Sequence, residues 1–181
     1  MSLQHFFDNA LGGSLHGTSK AGLTAFGKQA VEIMQAKDII VDVSHSSEAT
    51  VRDVLAQSTA PLVISHTGFK GHCDTPRNIA DELMLQIAEA GGLIAVGFWP
   101  GAVCGSSPES VIEAIEYGVA LVGEDHVALG SDFDGTVETS FDASEMAVLT
   151  QTMLDRNMPE SAIRKVMGGN MVRFLSENLP D

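Results

Sequence analysis

Three residues of types that serve metal-dependent hydrolysis stand at the ends of apolar, β-branched runs. Ile39-Ile40-Val41-Asp42-Val43-Ser44 leads into His45, Leu62-Val63-Ile64-Ser65 into His66, and Val127-Ala128-Leu129-Gly130-Ser131 into Asp132. An imidazole nitrogen is a zinc ligand, and a carboxylate can exchange protons with a water that a metal has acidified. In parallel α/β architectures such groups gather at the carboxyl ends of strands. His45 and His66 are one strand–helix repeat apart. Neighbouring parallel strands run about 4.8 Å apart, so both rings can converge on one ion at a Zn–N distance of about 2.0–2.1 Å. Asp132, two strands later, would face them across the mouth of the sheet. A lone histidine at a strand end is more often a satisfied structural group than a ligand. Two on consecutive strands, both preceded by serine, leave the two readings open; Asp132 within Gly130-Ser131-Asp132-Phe133-Asp134-Gly135 adds weight to a site.

The elements that must position these groups follow from periodicity. Irregular, glycine-rich sequence from Leu3 to Ala21 reads as a loop. Phe26, Ala30, Ile33, Met34 and Lys37 follow a helical period over 24–37. Strands are expected at 39–44, 62–66, 93–98 and 127–132, each apolar on both faces as in a helix-covered parallel sheet. Between them fall a helix capped by Ser46 or Ser47, a loop over 67–78, a helix over 79–90 ended by Gly91-Gly92, and a helix over 108–122. Two further helices, about 143–157 and 160–178, close the chain. This order predicts an α/β fold of parallel (β/α) units in one domain, 1–181. A complete eight-stranded barrel takes about 250 residues, so four strands predict half a barrel or a small open sheet with edges that must be covered or paired.

Composition narrows the partners. With 44% hydrophobic and 19% charged residues the chain is that of an ordinary globular protein. A formal charge of −14 argues against nucleic-acid or anionic-membrane binding. No apolar run of about 18 residues is present and the start lacks a signal-peptide layout, so a soluble, cytoplasmic protein is expected. Cys73 and Cys104 form no CxxC pair and suggest no disulfide framework; packing of Cys73 and Trp99 into core or loop is the expectation.

The motifs together resemble the membrane (renal-type) dipeptidase family, binuclear zinc metallopeptidases with an amidohydrolase-type barrel. The likeness is carried by Asp42-Val-Ser-His45, Pro61-Leu-Val-Ile-Ser-His66-Thr67, Arg77-Asn78-Ile-Ala-Asp81 and Gly130-Ser-Asp132-Phe-Asp-Gly135. His5-Phe-Phe-Asp-Asn9, Gly22-Leu-Thr-Ala-Phe-Gly27 and Met167-Gly-Gly-Asn170 with Arg173 extend it over nearly the whole chain. The resemblance implies that the chain corresponds to the C-terminal half of a TIM-type (β/α)8 barrel. It implies that His45 and His66 are the two histidine ligands of one zinc, and that Asp132 contacts the bridging water and shuttles its proton. It likewise implies that His5 polarises the scissile carbonyl and that Arg77 grips the terminal carboxylate of a dipeptide substrate, which suits a planar guanidinium. Without the family, Arg77 would read as a surface ion pair with Asp74 or Asp81, and His5 as a mobile terminal residue.

The family also places a His-x-Asp pair on its first strand and a bridging glutamate on its third, and neither has a counterpart here; His72-Cys73-Asp74 has the spacing but lies in a loop. The expectation is therefore a partial zinc site, at most one side of the family's two-zinc centre, on an incomplete and inactive portion of a dipeptidase. The alternatives are a non-catalytic remnant with a metal-, peptide- or assembly-binding surface, and an amidohydrolase acting on N-acyl amino acids. Pairing of two copies through open barrel edges is a further expectation. His16, His72 and His126 are expected at the surface, with Asp42 and Asp134 orienting neighbours or capping loops.

Overall fold

The computed structural model describes residues 1–180. Its sheet has three regular strands, β1 (Val63–Thr67), β2 (Leu93–Val96) and β3 (Val127–Leu129), all parallel in the order β1-β2-β3. Ile94 pairs with Ile64 on one side and Val127 on the other. Between Ile64 and Thr67 the β1–β2 register slips, so Ser65 and His66 sit on a bulge. A bulge of this kind bends its strand and re-aims a side chain.

The strand expected at 39–44 is not a regular strand. Asp42 makes single parallel bridges, to Val63 on one side and to Ser2 on the other. Val43 N–H donates to the Val63 carbonyl at 3.0 Å, and Val63 N–H to the Val41 carbonyl at 3.0 Å. Beyond that point the Asp42 carboxylate itself accepts from the backbone N–H groups of Ser44 (3.0 Å) and Ser65 (3.2 Å). A side chain has taken the donors that a ladder would use, and regular pairing stops. The segment nevertheless extends the sheet at the β1 edge, and residues 1–2 add one more strand position beyond it, which the sequence reading did not foresee. The other three expected strands are present: β1 runs one residue later than 62–66, while β2 and β3 are shorter at their carboxyl ends than 93–98 and 127–132.

Helix boundaries follow the caps. Helix α1 (Ala25–Gln35) starts where the Thr24 hydroxyl accepts from Gly27 N–H, and α2 (Glu48–Gln57) where Ser47 accepts from Thr50 N–H. Then come α3 (Asp81–Glu89), a short α4 (Pro100–Val103) with no counterpart in the sequence reading, and α5 (Pro108–Val122), capped by Ser107 and begun by proline. The helix expected at 143–157 is a 3₁₀ turn (Ala143–Glu145) followed by α6 (Ala147–Asp155). The one expected at 160–178 is split into α7 (Glu160–Arg164) and α8 (Asn170–Asn178) by a wide turn. The break is at Gly168, whose φ of 152° is open to glycine alone. It brings Asn170, 1% exposed, under the sheet to donate to the carbonyls of Glu124 (2.7 Å) and Val127 (2.8 Å).

One large core lies between sheet and helices, where Ile64, Ile94, Val96 and Val127 meet Val51, Leu83, Ile87, Ile112 and Ile115. The opposite face carries a smaller cluster, Leu93, Ala95, Ala128 and Phe174, closed by α8. Cys73 and Cys104 are joined by a disulfide, with Cα atoms 5.6 Å apart. The sequence suggests no disulfide framework, and the structure supplies one bridge, because the loop after β1 and the turn after β2 run side by side and bring the two together.

Candidate active site

His45 ends the extended segment just before α2 and is 7% exposed. Its carbonyl accepts from Leu15 N–H (2.7 Å) and from the Ser14 hydroxyl (3.2 Å), which ties it to the N-terminal loop. His66 lies on the β1 bulge. Its Nε2 is 2.9 Å from Nε2 of His45, and its Nδ1 is 2.9 Å from the Ser65 hydroxyl. Two nitrogens about 2.1 Å from one tetrahedral zinc are about 3.4 Å apart, so the rings converge on one point but would have to part by about half an ångström to take an ion between them. Among the described residues no group of three or more His, Cys, Asp or Glu side chains is arranged to hold a metal. The pair therefore fits as part of a ligand set.

The His5 ring stands edge-on to His45, with centroids 4.5 Å apart. It is exposed but not a loose end: its carbonyl accepts from the Ser14 hydroxyl at 2.6 Å. Next to it Gln4 accepts from the Ser46 hydroxyl at 2.6 Å, and Asn9 donates to the Leu3 carbonyl at 2.8 Å. Asp132 follows β3 with a left-handed φ of 58°, and its carbonyl accepts from Gly135 N–H at 2.8 Å. A Cβ on Gly135 would come within 2.4 Å of the Asp132 carboxylate, so a side chain there would push that carboxylate from its position. His5, His45, His66, Asp132, Asp42 and Asp134 all line one open cleft of about 710 Å³.

Arg77 lies elsewhere. It is 7% exposed and sits behind His66, donating to the His66 carbonyl (2.6 Å) and the Thr67 hydroxyl (3.3 Å). The guanidinium stacks on Trp99, 5.4 Å from the ring centroid. The surface ion pair with Asp74 or Asp81 is thus excluded. Burial pushes Arg77 down to about 10, with Asp132 and Asp42 pulling the other way, and it stays cationic at neutral pH. Burial likewise lowers His45 to about 3, reinforced by Arg77, His66 and His5. His66 is lowered by burial and Arg77, against the opposing carboxylates of Asp132, Asp42 and Asp134. Both imidazoles are neutral, the form that ligates metal.

Some participants escaped the sequence reading. His16 is exposed as expected, but its ring is 5.9 Å from that of His45, at the rim of the site. His72 and His126 are half-buried rather than at the surface, and Nδ1 of His126 pairs with the Gly92 carbonyl at 2.9 Å. Ser44 and Ser65 join Asp42 in a hydrogen-bond network behind His66; the serine before each histidine was the available signal. No helix among the described residues is long and apolar enough to cross a membrane.

Known proteins resemble this chain over most of its length. The family model described as membrane dipeptidase (peptidase family M19) matches residues 1–179. The chain is 37% identical over 146 residues to the dipeptidase ataJ of Aspergillus terreus, covering 76% of this chain and 36% of that protein. An amidohydrolase from Pseudomonas aeruginosa superposes with a TM-score of 0.87 at 29% identity, over 99% of this chain and 64% of that one. A metallo peptidase from Rhodobacter sphaeroides, bound to a phosphinate mimic of the dipeptide L-Ala-D-Ala, does so with a TM-score of 0.83 at 27% identity, over 92% and 49%. Those structures share the parallel α/β barrel architecture over part of their length. The chain spans between 34% and 66% of the length of four curated relatives that it matches. With a family match over residues 1–179, the chain belongs to the membrane dipeptidase family, peptidase family M19.

Proposed function

We propose that these residues form one wall of the active site of a zinc-dependent dipeptidase, with His45 and His66 as two of the zinc ligands. The observation that carries this reading is the approach of the two Nε2 atoms to 2.9 Å at the edge of a cleft that Asp132 also lines. A bound zinc supplies a water whose pKa falls to about 7 and can attack a peptide carbonyl at neutral pH. Asp132, in the same cleft, takes the proton and returns it to the leaving amine. His5, held beside His45 by Ser14, presents its ring where a scissile carbonyl would gain negative charge. Arg77, 7% exposed and outside the residues that line the cleft, uses two of its five N–H donors on His66 and Thr67; the carboxylate role that the family resemblance implies would require its cover to open. A dipeptide as the substrate class of the whole protein is supported by the phosphinate dipeptide mimic held by the Rhodobacter relative.

Two histidines hold zinc less firmly than the three or four protein ligands of a competent site. The 181-residue chain alone is therefore expected to bind zinc weakly and to hydrolyse nothing. A non-catalytic remnant is the second reading, favoured by the absence of a third ligand among the described residues. Elemental analysis and zinc titration separate the two. Uptake of one zinc that His66→Ala abolishes supports the first reading, while no uptake supports the remnant. For the whole protein, dipeptide hydrolysis lost on chelation is expected; metal-dependent turnover of N-acyl amino acids but of no dipeptide would refute the substrate class. The Cys73–Cys104 bridge favours an oxidising compartment over the cytoplasm expected from the sequence, since thiols are kept reduced there.

A further inference from the structure

The hydrogen bonds behind His66 form a directed chain. The Asp42 carboxylate accepts the Ser44 hydroxyl on one oxygen and the Ser65 hydroxyl on the other, both at 2.6 Å. The Ser65 oxygen lies 2.9 Å from Nδ1 of His66. A serine has one hydrogen to give, and an ionised carboxylate can only accept. Were the Ser65 hydrogen given to His66, a hydroxyl oxygen and a carboxylate oxygen would face each other at 2.6 Å with no proton between them. The Ser44 and Ser65 oxygens also lie 2.8 Å apart, so two serine hydrogens serve three O···O contacts; giving both to the carboxylate leaves only this longest contact without a proton, whereas giving the Ser65 hydrogen to His66 would leave two. The hydrogen therefore goes to Asp42 in the short, charge-assisted bond, and the Ser65 oxygen accepts from His66.

We propose that Asp42, acting through Ser65, is a positioning residue that fixes His66 with its proton on Nδ1 and its lone pair on Nε2. This rests on the reading of His66 as a zinc ligand, for which Nε2 is the atom that must be bare. The rest of the cluster obeys the same count. A lone pair on Nε2 of His66 requires His45, 2.9 Å away, to donate from its own Nε2. His45 then has no hydrogen on Nδ1, and Nδ1 of His45 is a buried atom with no partner. His66 is thus set for a metal beforehand, whereas His45 must move its proton to Nδ1 when both Nε2 atoms bind.

Two-bond proton–nitrogen correlation of the imidazoles in the metal-free chain at neutral pH tests this. His126 supplies an internal standard, because its Nδ1 meets a carbonyl, which cannot donate. In the wild type and in Ser65→Thr, His66 should match the Nδ1–H pattern of His126. In Ser65→Ala it should lose that pattern while His126 keeps it, and Asp42→Asn, whose amide can donate as well as accept, should weaken the preference. Zinc affinity should fall about 10–100-fold in Ser65→Ala. An Nε2–H pattern for His66 in the wild type, or an unaltered pattern in a folded Ser65→Ala, overturns the proposal. A wild type with His66 in the Nδ1–H form that takes up no zinc would instead count against the metal reading and leave the positioning intact. Should Ser65→Ala not fold, the wild-type spectrum alone decides the direction of the chain.

Discussion

Replacing Cys104 by serine removes a cross-link whose worth can be worked from its place in the chain. The disulfide joins residues 31 apart in sequence. Releasing a loop of that length in the unfolded ensemble costs about 3–4 kcal/mol of stability in the chain-entropy account. For a chain of this size that is about 10 °C in Tm. Cys104 is the better position to change: it is exposed, whereas Cys73 is 1% exposed and a serine there would bury a hydroxyl. Cys104 also has a left-handed φ of 59°, a strain that serine inherits unchanged, so backbone effects cancel in the comparison. Urea unfolding of wild type and Cys104→Ser, each with and without reductant, reads the result. The wild type should lose about 3–4 kcal/mol on reduction and the variant nothing further. A loss below about 1 kcal/mol in both arms would refute the loop-entropy reasoning. The bridge also joins the loop leading to Arg77 with the turn that follows Trp99, so it stabilises the pair that backs His66.

Two other outcomes follow from buried polar groups. Asn170→Ala leaves the carbonyls of Glu124 and Val127 without their side-chain donor and should cost about 2–4 kcal/mol in urea unfolding; a loss under about 0.5 kcal/mol would mean that water replaces the amide. His45, lowered to about 3 by burial with Arg77 and His66 nearby, ties stability to pH. Its folded pKa lies below the unfolded value of about 6.5, so on acidification the unfolded chain takes the proton first. Stability falls from about pH 6.5 down toward 3, by about 2 kcal/mol at pH 5. His45→Gln should lack that part of the slope between neutral pH and pH 5; an equal slope in both proteins would assign it to other groups.

Periodicity and caps carried most of the fold. Helix α5 begins and ends as its apolar spacing predicts, because the Ser107 cap and Pro108 in its first turn set the same start as its continuous buried face. The disulfide was not legible, since Cys73 and Cys104 meet only through the parallel placing of β1 and β2. The division of α7 from α8 turned on Gly168, in a run where an ordinary helical period gives no warning of a φ of 152°. Among the site residues, the nearness of His45 and His66 followed from strand adjacency. The burial of Arg77 behind His66 did not, because a loop cation has no periodicity to reveal that its guanidinium stacks on an indole.

The failure of the first strand is where fold and site are joined. The apolar run at 39–44 has every local mark of a buried strand, yet regular pairing stops at Asp42. The carboxylate that ends the ladder by accepting Ser44 and Ser65 N–H is the one that accepts the Ser65 hydroxyl beneath His66. Across from it, β1 bulges at Ser65 and His66. A continuous ladder would leave those N–H groups paired with carbonyls and would send alternate residues to opposite faces. The bulge and the aspartate together turn His66 toward His45 and leave Ser65 between His66 and Asp42. Lost regularity of this kind is expected where a sheet must aim side chains rather than only bury them. Reinforcing the strand by Asp42→Val should therefore uncouple His66 from its partner while leaving the Val41–Val63–Val43 hydrogen bonds in place.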